Sequence, residues 1–338
     1  MIVRGAMGLP RRAQALLAGR PVEVDGERLD PEVQLLLRLE RYSRYPPLEK
    51  LSPPQARITT DREALVACGP RIELHEVRDL RLAGAAVPLS ARLYVPAAAA
   101  RPSPLIVHLH GGGWVVGSLT SHDSFCRLLA RETGFRVLAA EYRLAPEHFF
   151  PAGLEDVVAL FADAASRAGE LGADPSAIAI SGDSAGGNLA ATASLRLARA
   201  GGPVPAFQLL IYPVTDVSRK SRSYELFREG YFLTEATMDW YREHYLSGGA
   251  DPADPEISPL LAADVSAAPP THLVTCGFDV LRDEGEAYAE RLRAAGVAVT
   301  QVREAGLIHA FINAVGVSRV SREAVGRAAR RVRAALSR

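Results

Sequence analysis

The residues best suited to covalent chemistry stand in Gly182-Asp183-Ser184-Ala185-Gly186. A serine with glycine two positions away on either side fits a turn too tight for side chains at those neighbours. The pentapeptide lies between an apolar run, Ala177-Ile178-Ala179-Ile180, and a helix-like run from Asn188 to about Ala200. On such a strand-to-helix turn the serine hydroxyl stands proud of the sheet edge as a nucleophile. The start of the following helix favours negative charge at the same spot. Taken alone, G-x-S-x-G also fits an ordinary small-residue turn, so the reading depends on what else the chain supplies.

It supplies His110-Gly111-Gly112-Gly113-Trp114, directly after the apolar run Leu105-Ile106-Val107-His108-Leu109. Consecutive glycines let backbone N–H groups approach a ligand unobstructed, and such donors can hold a developing oxyanion in acyl transfer. A nucleophilic serine also needs a base and an acid to orient it. There are eight histidines. One chain order for such a triad is serine, acid, histidine. Asp279 falls where a strand ending at Cys276-Gly277-Phe278 meets its loop, and His309 is the histidine that follows it. Asp283 is a rival acid, expected instead to begin or cap a helix running from Glu284. His108 and His110 lie upstream of Ser184, and His110 is assigned to bracing the glycine loop.

These groups need a scaffold. From about Glu73 the pattern is one of strands alternating with helices. Leu80–Leu82 and Ala91–Val95 read as an antiparallel pair. Strands are expected at Leu105–Leu109, Val137–Ala140, Ala177–Ile180, Gln208–Tyr212, Thr271–Cys276 and Val297–Val302, with an amphipathic helix over Leu154–Ala168. This alternation predicts an α/β fold with a mostly parallel central sheet flanked by helices. Residues 1–75 differ. Asp30-Pro31-Glu32 reads as a helix start, with Val33, Leu36, Leu37 and Leu39 at roughly helical spacing. Tyr42, Tyr45 and the Pro46-Pro47 break follow, and a second helix begins near Ser52-Pro53-Pro54. A long interruption between Tyr212 and Thr271 holds Tyr231, Phe232, Met238, Trp240, Tyr241 and Tyr245. Such aromatics suit a lid over the strand ends as well as plain packing. From Ser318 onward seven arginines face one glutamate, with Val320, Ala324, Ala328 and Val332 repeating every four residues, as in a surface helix.

Composition narrows the partners. The chain has 338 residues, 48% hydrophobic and 23% charged, with a formal net charge of zero. That is ordinary globular composition, with no electrostatic signature of nucleic acid binding. Cys68, Cys126 and Cys276 have no metal-ligand spacing and are expected as small buried hydrophobes. The N-terminus lacks a long apolar stretch and no run reaches the ~18 apolar residues of a membrane span. A cytoplasmic protein without a stable membrane anchor is therefore expected. The strand at Val297–Val302 is expected at a sheet edge in need of cover, for which a homodimer is one solution.

Taken together, the motifs resemble those of the hormone-sensitive lipase family (bacterial family IV) of carboxylesterases, within the α/β-hydrolase superfamily. The resemblance runs over about residues 75–315. It is carried by His110-Gly111-Gly112-Gly113, Tyr142-Arg143-Leu144-Ala145-Pro146-Glu147, Gly182-Asp183-Ser184-Ala185-Gly186-Gly187-Asn188, Tyr212-Pro213, Asp279-Val280-Leu281-Arg282-Asp283-Glu284-Gly285 and His309-Ala310-Phe311. It implies Ser184 as nucleophile, His309 as general base and then acid, and Asp279 as its orienter. It implies the N–H groups of Gly111, Gly112 and Ala185 as oxyanion donors. Residues 1–75, with an insertion at about 216–250, would form a helical cap on a catalytic domain of residues 76–338. Trp114, Asp183, Phe232, Trp240, Tyr241 and Leu281 are the expected substrate surroundings. The expected reaction is hydrolysis of short- to medium-chain carboxylic esters, with a small-molecule ester as partner and no metal or organic cofactor. An amide or carbamate hydrolase with the same triad is an alternative, as is a non-catalytic ligand-binding protein on the same scaffold. The family often has Gly where Ala310 stands, and Pro where Val280 stands. Both departures bear on loop shape.

Overall fold

The computed structural model describes residues 2–41 and 46–337, so Tyr42 and Tyr45 lie outside the described residues. A short hairpin, β1 (Glu23–Val24) and β2 (Glu27–Arg28), precedes an eight-stranded sheet. Its strands are β3 (Glu76–Leu82), β4 (Leu89–Val95), β5 (Ser103–Leu109), β6 (Arg136–Ala140), β7 (Ala173–Asp183), β8 (Phe207–Ile211), β9 (Thr271–Phe278) and β10 (Val299–Ile308). The helices are α1 (Ile2–Met7), α2 (Arg11–Ala18), α3 (Pro31–Glu40), α4 (Pro53–Ala67), α5 (Asp123–Thr133), α6 (Ala152–Ser166) and α7 (Ala168–Leu171). They continue with α8 (Ala185–Arg199), α9 (Arg222–Phe227), α10 (Glu235–Tyr245), α11 (Arg282–Ala294) and α12 (Arg319–Leu336).

The sheet order is β10-β9-β8-β7-β5-β6-β4-β3. β3 and β4 pair antiparallel, with Leu80 opposite Ala91, as their sequences suggest. From β6 to β10 the neighbouring strands run parallel. The inner strands are apolar runs without alternation because both faces are covered. Leu105, Ile106, Val107 and Leu109 of β5 and Ile180 of β7 are wholly buried. α5 and α12 pack on each other, as do α6 and α8. On α12 the four-residue repeat of Val320, Ala324, Ala328 and Val332 is the buried stripe.

Topology decides where chemistry can sit. The chain leaves β5 for β6, then crosses back over β5 to enter β7. β5 and β7 are therefore neighbours whose outgoing loops diverge. Crevices for ligands in open α/β sheets form at such a reversal, beyond the C-terminal ends of the strands. The register sets Leu109 opposite Gly182, which brings the loop after β5 against the turn after β7.

The N-terminal segment is tied into this frame. Asp30 caps α3, accepting from the Glu32 N–H at 2.8 Å with Pro31 at the first helical position. Its own N–H donates to Gly306 O of the edge strand β10 at 3.0 Å. Glu27 pairs with Arg303 of β10 at 3.2 Å, so part of that edge is covered by the chain itself. β10 starts two residues later than the sequence suggests, because the Val297 N–H closes α11 on Leu292 O. Cys126 and Cys276 are buried, whereas Cys68 is half-buried at the end of α4. Among the described residues, no helix is long and apolar enough to cross a membrane.

Candidate active site

Ser184 follows the last residue of β7 and precedes the first of α8, with φ 55° and ψ −121°. A non-glycine residue there is strained, and the neighbours explain why the strain is tolerated. A side chain on Gly182 would run into the Gly186 backbone, and one on Gly186 into Leu109 O. The Ser184 N–H is held by Ile211 O at 2.9 Å, while its hydroxyl faces the imidazole.

His309 Nε2 lies 2.9 Å from Ser184 Oγ, and His309 Nδ1 lies 2.8 Å from Asp279 Oδ2. The second Asp279 oxygen accepts the Leu281 N–H at 3.0 Å, which fixes the carboxylate. All three groups are buried or nearly so, with Ser184 6% exposed. The Tyr212 ring lies 4.4 Å from the imidazole and meets Phe311 edge-on at 5.4 Å. Asp279 stands after β9 and His309 after β10, so the C-terminal ends of the parallel strands present the whole relay. The rival acid, Asp283, lies in the first turn of α11 and accepts the Ser223 N–H at 2.8 Å. Ala310 adopts φ 61°, the left-handed region, which accounts for the suitability of glycine at that position.

The glycine loop departs from expectation. The Gly111 N–H donates to Asp183 Oδ1 at 2.8 Å, so it is not a free donor for an oxyanion. The amides of Gly112, Gly113 and Ala185 donate to no protein acceptor among the described residues. Ala185 opens α8, where helix geometry leaves the N–H without a partner. The available trio is thus Gly112, Gly113 and Ala185, with Gly113 in place of Gly111. Gly112 and Gly113 have φ 115° and 57°, and a side chain on Gly113 would strike the Tyr241 ring.

Asp183 is likewise corrected: it does not face substrate but sits buried beneath the loop. Besides Gly111 it has His122 Nε2 at 3.2 Å and His108 Nε2 at 3.7 Å. Burial alone would raise its pKa, but His122 and the Gly111 N–H lower it. Burial pushes His108 down to about 3, which keeps it neutral. His110 braces the loop as expected, its Nδ1 2.8 Å from Gly111 O and its ring stacked on Tyr142 at 4.5 Å. Burial opposes its charge, yet Glu141, 3.3 Å from Nε2, outweighs burial and raises its pKa.

Of the other expected substrate residues, Trp114 is 1% exposed and stacked flat on Tyr245, centroids 4.1 Å apart. It packs the loop onto α10 rather than lining an open pocket. Leu281 is buried and reaches the site through its N–H on Asp279. Phe232 is 47% exposed, and Trp240 packs at a tilt against His244 of its own helix. Tyr241 alone of these aromatics stands against the glycine loop.

Sequence reasoning missed four braces. Tyr142 Oη donates to His110 O at 2.8 Å. Arg57 of α4 donates from Nε to Val115 O and from Nη2 to Ala145 O, both at 2.8 Å. His122 was passed over because nothing local ties it to Asp183. Thr237 Oγ1 of α10 donates to Glu49 at 3.0 Å, joining the N-terminal segment to the insertion.

The sheet order, the strained serine turn and the Ser–His–Asp relay define an α/β-hydrolase. A family profile described as the alpha/beta hydrolase fold matches residues 106–313. The carboxylic ester hydrolase LipN of Mycobacterium tuberculosis is 43% identical, over 90% of this chain and 83% of its own. An ethyl acetate hydrolase of Pseudomonas putida is 35% identical over 84% and 92% of the two chains. An ester hydrolase from the metagenome of Lake Arreo, solved with a derivative of bipyridine phosphonate, superposes with a TM-score of 0.89. It is 40% identical and covers 92% of this chain and 100% of its own. The chain belongs to the hormone-sensitive lipase-type family of carboxylic ester hydrolases.

Proposed function

We propose that this protein hydrolyses short- to medium-chain carboxylic esters through an acyl-enzyme on Ser184. The observation that carries the reading is the continuous relay of Ser184 Oγ, His309 and Asp279, with contacts of 2.9 and 2.8 Å. His309 Nε2 takes the hydroxyl proton as Ser184 Oγ bonds to the ester carbonyl carbon. The carbonyl oxygen becomes an oxyanion among the N–H groups of Gly112, Gly113 and Ala185. As the tetrahedral intermediate collapses, the C–O bond to the alcohol breaks and His309 gives that oxygen its proton. Water then attacks the acyl-enzyme, with His309 as base, and Ser184 regains its proton as the acid departs. Asp279 remains ionised throughout and fixes the imidazole tautomer.

The preference for short acyl chains is supported by the Tyr241 ring against Gly113, and by the two-carbon acyl group in the name of the Pseudomonas relative. A p-nitrophenyl ester series from acetate to palmitate tests both parts. Acetate and butyrate should be turned over fastest, with a pre-steady-state burst of p-nitrophenol wherever deacylation limits the rate. A palmitate optimum would overturn the chain-length reading. Unchanged activity in Ser184→Ala would overturn the acyl-enzyme.

A further inference from the structure

A cavity of about 320 Å³ opens at the end of the sheet opposite to Ser184. It is bounded by the first residues of β6 and β7, Arg136 and Ala173, and by Arg78 and Arg101. The parallel strands enter the sheet here, whereas the catalytic groups stand where they leave it.

Arg136 is the anomaly. It is 2% exposed, and a buried guanidinium ordinarily needs a carboxylate beside it. Among the described residues, no carboxylate forms an ion pair with it. Nη1 donates to Ala100 O and Ser103 Oγ, both at 2.7 Å, which ties down the loop before β5. Nε and Nη2 donate to no protein acceptor among the described residues, and the residue lines the cavity. Arg78 is more exposed and has a carboxylate beside it: its Nε lies 3.0 Å from Glu76 Oε1, out of line for a hydrogen bond, and its other nitrogens donate to no protein acceptor among the described residues. The other acid at the wall, Glu170, is engaged by Arg167 at 2.7 Å. Arg101 at the rim has no carboxylate partner among the described residues. Burial first, and then the charge of Arg101, press Arg136 below its usual value, and the attraction of Glu76 only partly offsets them.

We propose that this cavity is a second binding site, which takes the oxyanion group of a small metabolite on Arg136, Arg78 and Arg101. Planar guanidinium forks match phosphate and carboxylate oxygens two at a time, and charge-assisted bonds of this kind are strong. The volume leaves room for a short carbon skeleton beside the anionic group. The site lies apart from the ester-hydrolysing centre and does not depend on that reading.

The test uses the full chain, melted and titrated calorimetrically with potassium phosphate and with potassium succinate. Potassium chloride at matched ionic strength and pH is the control. Phosphate, succinate or both should raise Tm saturably above chloride, and the responding anion identifies the ligand class. The double variant Arg78→Gln/Arg101→Ala leaves the Arg136 contacts to Ala100 and Ser103 intact and should bind roughly tenfold more weakly or worse. Arg136→Gln should abolish the shift if it folds. Hydrolysis of p-nitrophenyl acetate should be unchanged in the double variant. No saturable response to either anion would overturn the proposal, as would an undiminished response in the double variant.

Discussion

The elbow with its relay and the glycine loop face each other across the same crevice, yet they are held by different means. Ser184, His309 and Asp279 bond to one another, and each leaves the end of a parallel strand. The glycine loop has a few bonds of its own, such as the Val116 N–H to Gly112 O at 2.9 Å, but these do not fix it against the rest of the protein. Its shape is imposed by a buried carboxylate, a stacked tyrosine and an arginine from the N-terminal segment. The relay can therefore be read almost from chain order, whereas the loop becomes functional only once distant parts of the chain have docked.

The contrast can be pressed experimentally. The largest effect is expected from Ser184→Ala, which removes the proposed nucleophile. Turnover of p-nitrophenyl acetate should fall by roughly 10³ to 10⁶ with the fold intact, as checked by circular dichroism. Asp183→Ala comes next, because it frees the Gly111 N–H and loosens the loop without touching the relay. A loss in kcat on the order of 10² is expected, with KM little changed, since the loop amides bind the transition state more than the ester. A normal kcat in a folded variant would mean that the loop supports itself.

A smaller effect concerns the His110–Glu141 contact behind the loop. His110 has its pKa raised from 6.5, Glu141 winning over burial, so its contribution is full below 6.5 and fades as pH rises through the folded value. Glu141 has its pKa lowered from 4.5, the pull of His110 winning over burial, so its contribution is full above 4.5 and fades on acidification. The contact should thus stabilise most between about pH 4.5 and 6.5. In Tm–pH profiles, Glu141→Gln should lose most stability in that window, and a parallel offset at all pH values would contradict this account. The smallest effect is expected at Ala310, on the relay side. Ala310→Gly relieves about 1–2 kcal/mol of left-handed strain but returns about 0.4–1 kcal/mol of unfolded-state entropy. Melting should show a rise of no more than a few degrees, and a clear loss would mean that the Ala310 methyl group packs usefully.

How much was legible follows the same division. The pentapeptide around Ser184, the glycine run and the order of Asp279 and His309 are local or sequential signals, and the structure joins these groups as the sequence suggests. The strand runs were legible because both faces of a parallel sheet are buried, which removes polar alternation. The choice between Gly111 and Gly113 was not legible. Three identical residues differ only in which N–H meets the Asp183 carboxylate, and that side chain arrives from a strand 72 residues away. The place of Trp114 was hidden for a similar reason, since its stacking partner Tyr245 belongs to the insertion.

The amino-acid sequence by itself determined the side chains on offer: a serine on a turn that only glycines permit, an aspartate and a histidine at successive strand ends, and the sheet that carries them. Those follow from short-range sterics and from hydrophobic periodicity, which act within a few residues. Tertiary structure alone decided which amides remain free for an oxyanion, which aromatics pack and which meet the site. It also decided that Arg136 is buried with no ion-pair partner among the described residues. Each of these depends on which groups from remote segments arrive to satisfy a buried donor or charge, and no local pattern encodes that.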